Sequence, residues 1–187
     1  MVYLFLKDGF EEAEALFPVD ILRRADVELR IAGDGAVTGG HGVAVQPDCP
    51  IADVVLTPDT EMLILPGGGA GVDNLWADER VRTLVTQAAA RGIRLAAICA
   101  APTILGRLGL LEGKLAVCYP GREGEMGGAD TSSGAEVVTD GLITTAKAAG
   151  ASAAFGLELA RVLRGGETAE RVRRAMYITD TLPTIRV

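Results

Sequence analysis

Three short segments carry the residue types that could do chemistry. The first is Leu95-Ala96-Ala97-Ile98-Cys99-Ala100-Ala101-Pro102, where a cysteine separates an apolar run from a helix start. Small neighbours are what a sharp strand-to-helix turn requires, so the layout is that of a nucleophile elbow without the G-x-S-x-G spelling. A thiol placed there feels the helix N-terminus, which favours thiolate over thiol. The position also suits a small buried hydrophobe. The second segment is Leu63-Ile64-Leu65-Pro66-Gly67-Gly68-Gly69. Three glycines after an apolar run let the backbone approach a ligand and aim N–H groups at an oxyanion or carboxylate. A flexible turn is the alternative. The G-x-G-x-x-G spacing is absent, so a dinucleotide site is not indicated. The third segment is Gly9-Phe10-Glu11-Glu12-Ala13-Glu14. Glu11 and Glu12 have a ready explanation as carboxylates at a helix start. Glu14 lies deeper in the helix. Facing a thiolate, its carboxyl would have a raised pKa and could donate a proton. Cys99 and Glu14 would then form a nucleophile/acid pair that needs no histidine.

The remaining reactive side chains are few. The cysteines are Cys49, Cys99 and Cys118, at wide spacings with no CxxC or His/Cys cluster, so no metal site is expected. Cys118 could resolve an oxidised Cys99 or be a small buried residue; Cys49 receives no role. The single histidine is His41. Ser-His-Asp and most Cys-His mechanisms therefore fail unless His41 is the base. Peptidase activity would depend on it, and nothing in its loop supports that role.

Positioning these residues is the task of alternating strands and helices. Strands are expected at Val2–Leu6, Val27–Ile31, Glu61–Leu65, Arg94–Ile98, Leu115–Cys118, Glu136–Val138 and Gly141–Thr145. Helices are expected at Glu11–Ala25, Asp78–Arg91, Pro102–Leu110, Ser152–Leu163 and Glu167–Met176. Phe17/Ile21 and Val19/Leu22 set the apolar spacing of the first helix, in which Pro18 should make a kink or begin a fresh turn. Gly35 to Pro50 reads as a hairpin-like excursion around Val43–Val45. The pattern implies βαβ units and a mainly parallel sheet with helices on both faces. A flavodoxin-like three-layer α/β sandwich, one domain over residues 1–187, is the expected fold. With 49% hydrophobic but only 4% aromatic residues, its core must be aliphatic. In such sheets, ligands sit beyond the carboxyl ends of the strands, where all three segments fall.

A formal charge of −7 argues against nucleic-acid binding, which needs clustered Lys and Arg. The densest basic spots, Arg23-Arg24 and Arg171, Arg173 and Arg174, read as solvated helix faces. Leu95 to Gly106 is too short for a membrane span and contains Pro102. Met1 to Leu6 lacks the basic start and length of a signal peptide, so a cytoplasmic, thiol-reducing setting is expected.

Several segments together resemble the DJ-1/ThiJ/PfpI superfamily, in the branch of the Parkinson-associated deglycase and its bacterial relatives. They are Gly-Phe-Glu-Glu-Ala-Glu at 9–14, Pro-Val-Asp-Ile-Leu-Arg-Arg-Ala at 18–25 and Leu-Pro-Gly-Gly at 65–68. Ala-Ala-Ile-Cys-Ala-Ala-Pro-Thr at 96–103 and Asp-Gly-Leu-Ile-Thr-Thr at 140–145 complete the set. The resemblance implies that Cys99 is an oxidation-sensitive nucleophile and Glu14 the buried acid bonded to it. It implies Gly68 and Ala100 as backbone donors beside the sulfur, with Gly67 next to them. It further implies a homodimer, a metal-free site and no organic cofactor. The chain departs from the family where a site histidine usually follows a Gly-Gly pair: Met126-Gly127-Gly128-Ala129-Asp130 has Ala129 there. His41 falls at a rim position often held by Arg, and Tyr119 where another member has histidine. Asp130 could replace the missing imidazole or be a turn residue. The functions implied are a cofactor-free, cysteine-dependent glyoxalase or deglycase acting on reactive aldehydes and early glycated groups, or a redox sensor working through a low-pKa Cys99.

Overall fold

The computed structural model describes residues 1–179 and 183–187. The chain order is β1 (Val2–Phe5), α1 (Glu12–Arg24), β2 (Leu29–Ala32), β3 (Val37–Thr38), β4 (Ala44–Val45) and β5 (Met62–Leu65). It continues with α2 (Gly69–Ala77), α3 (Glu79–Ala90), β6 (Arg94–Ile98), α4 (Pro102–Arg107), β7 (Val137–Asp140) and β8 (Ile143–Ala146). The last elements are α5 (Ser152–Arg164), α6 (Gly166–Ala175) and β9 (Thr184–Arg186).

Among the described residues, seven strands form the main sheet in the order β2-β1-β5-β6-β8-β7-β9. The first five are parallel, β7 is antiparallel to β8, and β9 is parallel to β7. In order of appearance the parallel strands run 2-1-3-4-5, the flavodoxin-like arrangement, with its switch point between β1 and β5. β3 and β4 form a separate antiparallel hairpin within the glycine-rich excursion.

Strand alternation divides the core in two. Tyr3, Phe5, Leu63, Leu65, Leu95 and Ala97 face the layer of α2, α3 and α4. Val2, Leu4, Met62, Ile64, Ala96 and Ile98 face α1, α5 and α6. These strands are buried on both faces, as a parallel sheet between helices demands. Cys99 leaves the end of β6 and packs against both half-cores.

Four local expectations need correction. Leu115–Cys118 is not a strand: Leu115 makes one isolated bridge to Asp130, and the Val117 N–H donates to Thr145 Oγ1 rather than to a ladder. Helix α1 continues through Pro18, so no fresh helix begins there; Pro18 is buried, and its Cα lies near Gly156 in the tightly packed contact with α5. Phe17 is 39% exposed and lies outside the core face. Finally, α2 and β9 were not anticipated: the glycine run opens α2, and β9 is a three-residue edge strand with only one apolar residue.

Candidate active site

Three strand ends converge at the switch-point side of the sheet. Beyond β1, the N–H of Glu11 donates to Gly67 O at 3.0 Å, tying the start of α1 to the loop after β5. The inward face of α1 then comprises Glu14, Ala15, Pro18, Val19, Ile21 and Leu22. Glu14 occupies the first position of an otherwise apolar stripe and is 1% exposed. Its Oε2 has no hydrogen-bond partner among the described residues.

Beyond β6, Cys99 adopts φ +66°, a left-handed conformation that a non-glycine residue takes only at a cost of about 1–3 kcal/mol. Two backbone bonds hold it there. Its N–H donates to Ala146 O at 2.9 Å, and its carbonyl accepts from the Tyr119 N–H at 2.7 Å. The strained turn lifts the sulfur out of the strand toward the cleft. The Cys99 side chain faces the Glu14 carboxyl across Gly67, and the Gly68 and Ala100 N–H groups act on its sulfur.

Glycine is required between these groups. A Cβ on Gly67 would overlap Glu14 Oε2 and lie 2.5 Å from Cys99 Cβ. Gly68 has φ +92°, which turns its N–H toward the sulfur, and a Cβ there would overlap Gly9 O. The glycine run is therefore the packing surface against which thiol and carboxyl meet.

The pair does not behave as an isolated low-pKa thiol. Burial pushes the Glu14 carboxyl up to about 7, against the lowering effect of its bond with Cys99. Burial, followed by the neighbouring Glu14 charge, pushes the Cys99 thiol up to about 12, while the Gly68 and Ala100 N–H groups pull the other way. This corrects the expectation of a depressed thiol pKa. Helix α4 has only six residues and begins three positions after Cys99, so its dipole is too weak to offset burial beside a carboxylate. Between these limits the two groups hold one proton jointly, and the titration belongs to the pair.

The sulfur opens into a cleft of about 710 Å3, large enough for far more than a three-carbon aldehyde. Glu11, Tyr119, Arg122 and the Ala148–Gly150 turn line it together with Glu14, Gly68, Cys99 and Ala100. Other residues singled out from sequence lie elsewhere. His41 is exposed, and its Nδ1 stands 2.9 Å from Glu12 and 3.4 Å from Glu11, not in the cleft. The bond to Glu12 raises its pKa, and the ring does not reach Cys99 to act as its base. Asp130 accepts from Ser132 N and Oγ in a surface turn. Ala129 packs against the core. Cys118 is buried, donates to Tyr119 O at 3.5 Å, and is pushed up to about 11, chiefly by burial. Cys49 is also a buried free thiol. Arg122 and the Ala148–Gly150 turn were missed; their only signal was that each follows a segment already singled out, Tyr119-Pro120 and the Thr144-Thr145 strand end.

A flavodoxin-like sheet that carries a strained cysteine against a buried glutamate, one strand from its switch point, defines a narrow class of α/β proteins. The chain belongs to the DJ-1/PfpI family, whose family model matches residues 1–176. It is 31% identical over 182 residues to the Parkinson disease protein 7 homolog of Danio rerio, covering 95% of this chain and 96% of the relative. A deglycase of Pyrococcus abyssi is 31% identical over 87% of this chain and 99% of its own length. The crystal structure of Drosophila melanogaster DJ-1beta superposes with a TM-score of 0.88 at 29% identity, covering 96% of this chain and 98% of that one. Among the described residues, no helix is long and apolar enough to cross a membrane.

Proposed function

We propose that the chain is a cofactor-free, cysteine-dependent glyoxalase/deglycase acting on reactive 2-oxoaldehydes and their early adducts on proteins. The observation that carries the reading is that Cys99 and the buried Glu14 meet across Gly67 and line one open cleft with the Gly68 and Ala100 backbone. Sulfur adds to the aldehyde carbon, and the proton shared by the pair passes to the new oxygen, giving a hemithioacetal. The N–H groups of Gly68 and Ala100 are the donors available to the developing oxyanion. Glu14, now a carboxylate, removes the C1 proton and returns it at C2, leaving a 2-hydroxy thioester. Water cleaves the C–S bond, releases the 2-hydroxy acid and restores the thiol. C1 is oxidised as C2 is reduced, so no external oxidant or cofactor enters. The kinship with deglycases and the width of the cleft support adducts on larger molecules as substrates.

The reading includes a homodimer in a cytoplasmic setting; Phe17, exposed on α1, is an apolar side chain available to a second copy. Redox sensing is the second reading, favoured by a half-buried Cys99 that opens to the cleft and opposed by its raised pKa. Purified protein in EDTA, without added thiol, is expected to convert methylglyoxal to lactate. Folded protein that forms no lactate, but gains oxygen selectively at Cys99 under mild peroxide, overturns the enzymatic reading in favour of the sensor.

A further inference from the structure

A separate cleft lies between α5, α6 and β9, encloses about 480 Å3 and shares no lining residue with the Cys99 cleft. Three guanidinium groups, Arg161, Arg173 and Arg186, line it against two carboxylates, Glu158 and Glu170. Among the described lining residues, guanidinium groups outnumber carboxylates in a chain whose formal charge is −7.

The bonding pattern locates that excess. Glu158 is 2% exposed and is shared by two arginines. Arg161 donates to it through Nε and Nη2, at 2.8 and 2.6 Å. Arg186 also uses Nε and Nη2, at 3.1 and 2.8 Å to Oε2. Thr139 Oγ1 donates to it as well, at 2.9 Å. Nη1 of both arginines is therefore without a partner among the described residues. Arg173, by contrast, is fully used: Nε and Nη2 bond Glu170, and Nη1 bonds Ile178 O. The cleft also receives the start of α6 at Gly166, where the N-cap supplies no side-chain bond. Ala154, Leu157 and Ala169 add apolar surface to the same lining.

We propose that this cleft binds a short-chain organic carboxylate, its oxyanion taken by the Nη1 groups of Arg161 and Arg186 and its stem laid on Leu157 and Ala154. Guanidinium edges suit a planar carboxylate. The excess of guanidinium over carboxylate among the described lining residues favours an anion. The dianion of phosphate would meet Glu158 and Glu170, and it has nothing to place on the apolar surface.

The test is a 1H–15N NMR titration of the full chain with butyrate, with inorganic phosphate and chloride as parallel arms. Butyrate is expected to shift the amides of Leu157–Arg161, Gly166–Arg173 and Thr184–Arg186 saturably, while Gly68 and Ala100 stay unmoved. Arg186→Gln should weaken binding at least tenfold, on the order of one lost charge-assisted contact. Ala154→Leu fills the apolar part of the lining, leaves every ion pair in place and should also abolish the shifts. The proposal is overturned if butyrate shifts only the Cys99 cleft, if both variants bind like wild type, or if phosphate or chloride saturates the same amides as tightly.

Discussion

Cys99→Ala is expected to lower kcat/KM for methylglyoxal by about a thousandfold or more, the scale seen when a covalent nucleophile is removed. The prediction rests on the absence of a substitute at the sulfur's position. Cys118 is buried outside the cleft lining, Cys49 is buried after the hairpin, and His41 stands with Glu11 and Glu12. The fold should survive, because Ala fits where small neighbours already surround the turn and both backbone bonds at residue 99 remain available. Lactate formation and a thermal melt, measured on the same preparation, separate lost chemistry from lost structure. Cys118→Ala should leave turnover close to wild type.

Glu14→Gln carries the second large effect, and it acts on rate and stability in opposite directions. Gln keeps the shape but removes the exchangeable proton, so kcat should fall by about a hundredfold to ten-thousandfold. In the wild type, the doubly protonated pair is inactive, so kcat/KM should decline as pH drops below about 7, where Glu14 takes up its proton. The residual activity of the variant should lack that limb. Stability follows from the same shift. The folded carboxyl keeps its proton up to about pH 7, whereas its ordinary value is 4.5. The folded state binds more protons across that window, so this group's contribution is fully present below it and lost as pH rises through it. Gln does not incur the loss. Above pH 7 the variant should therefore be the more stable protein, by up to about 3 kcal/mol, read as a higher Tm.

The fold was legible because the parallel strands are apolar on both faces and alternate with helices of 3.6 period. The parts that escaped had no such pattern. Leu115–Cys118 has strand-like composition, but Thr145 Oγ1 takes the N–H of Val117 that a ladder would need. β9 places only Ile185 as an apolar residue and is held by its register with β7 and by Arg186 on Glu158. The start of α2 was hidden because glycine reads as a turn unless a neighbouring site requires it.

At the site, Cys99 and Glu14 were visible as residue types: a cysteine among alanines, and a carboxylate on the apolar face of a helix. Their pKa values were not, because the sign depends on burial and on each other. The sequence placed Cys99 at a helix start, yet the six-residue α4 is too short to prevail over a shared buried pocket. His41 and Asp130 were legible as polar residues in loops, but loop geometry turned both toward local partners.

The central claim is that Cys99 sulfur bonds covalently to substrate carbon during turnover. Peptide-resolved mass spectrometry of protein quenched in the presence of methylglyoxal tests it directly. The account predicts a mass gain of one methylglyoxal on the Cys99 peptide that rises to a steady state and decays as lactate formation ends. Lactate formed at the full rate with no adduct at Cys99, or with the adduct on Cys49 or Cys118 instead, would contradict it.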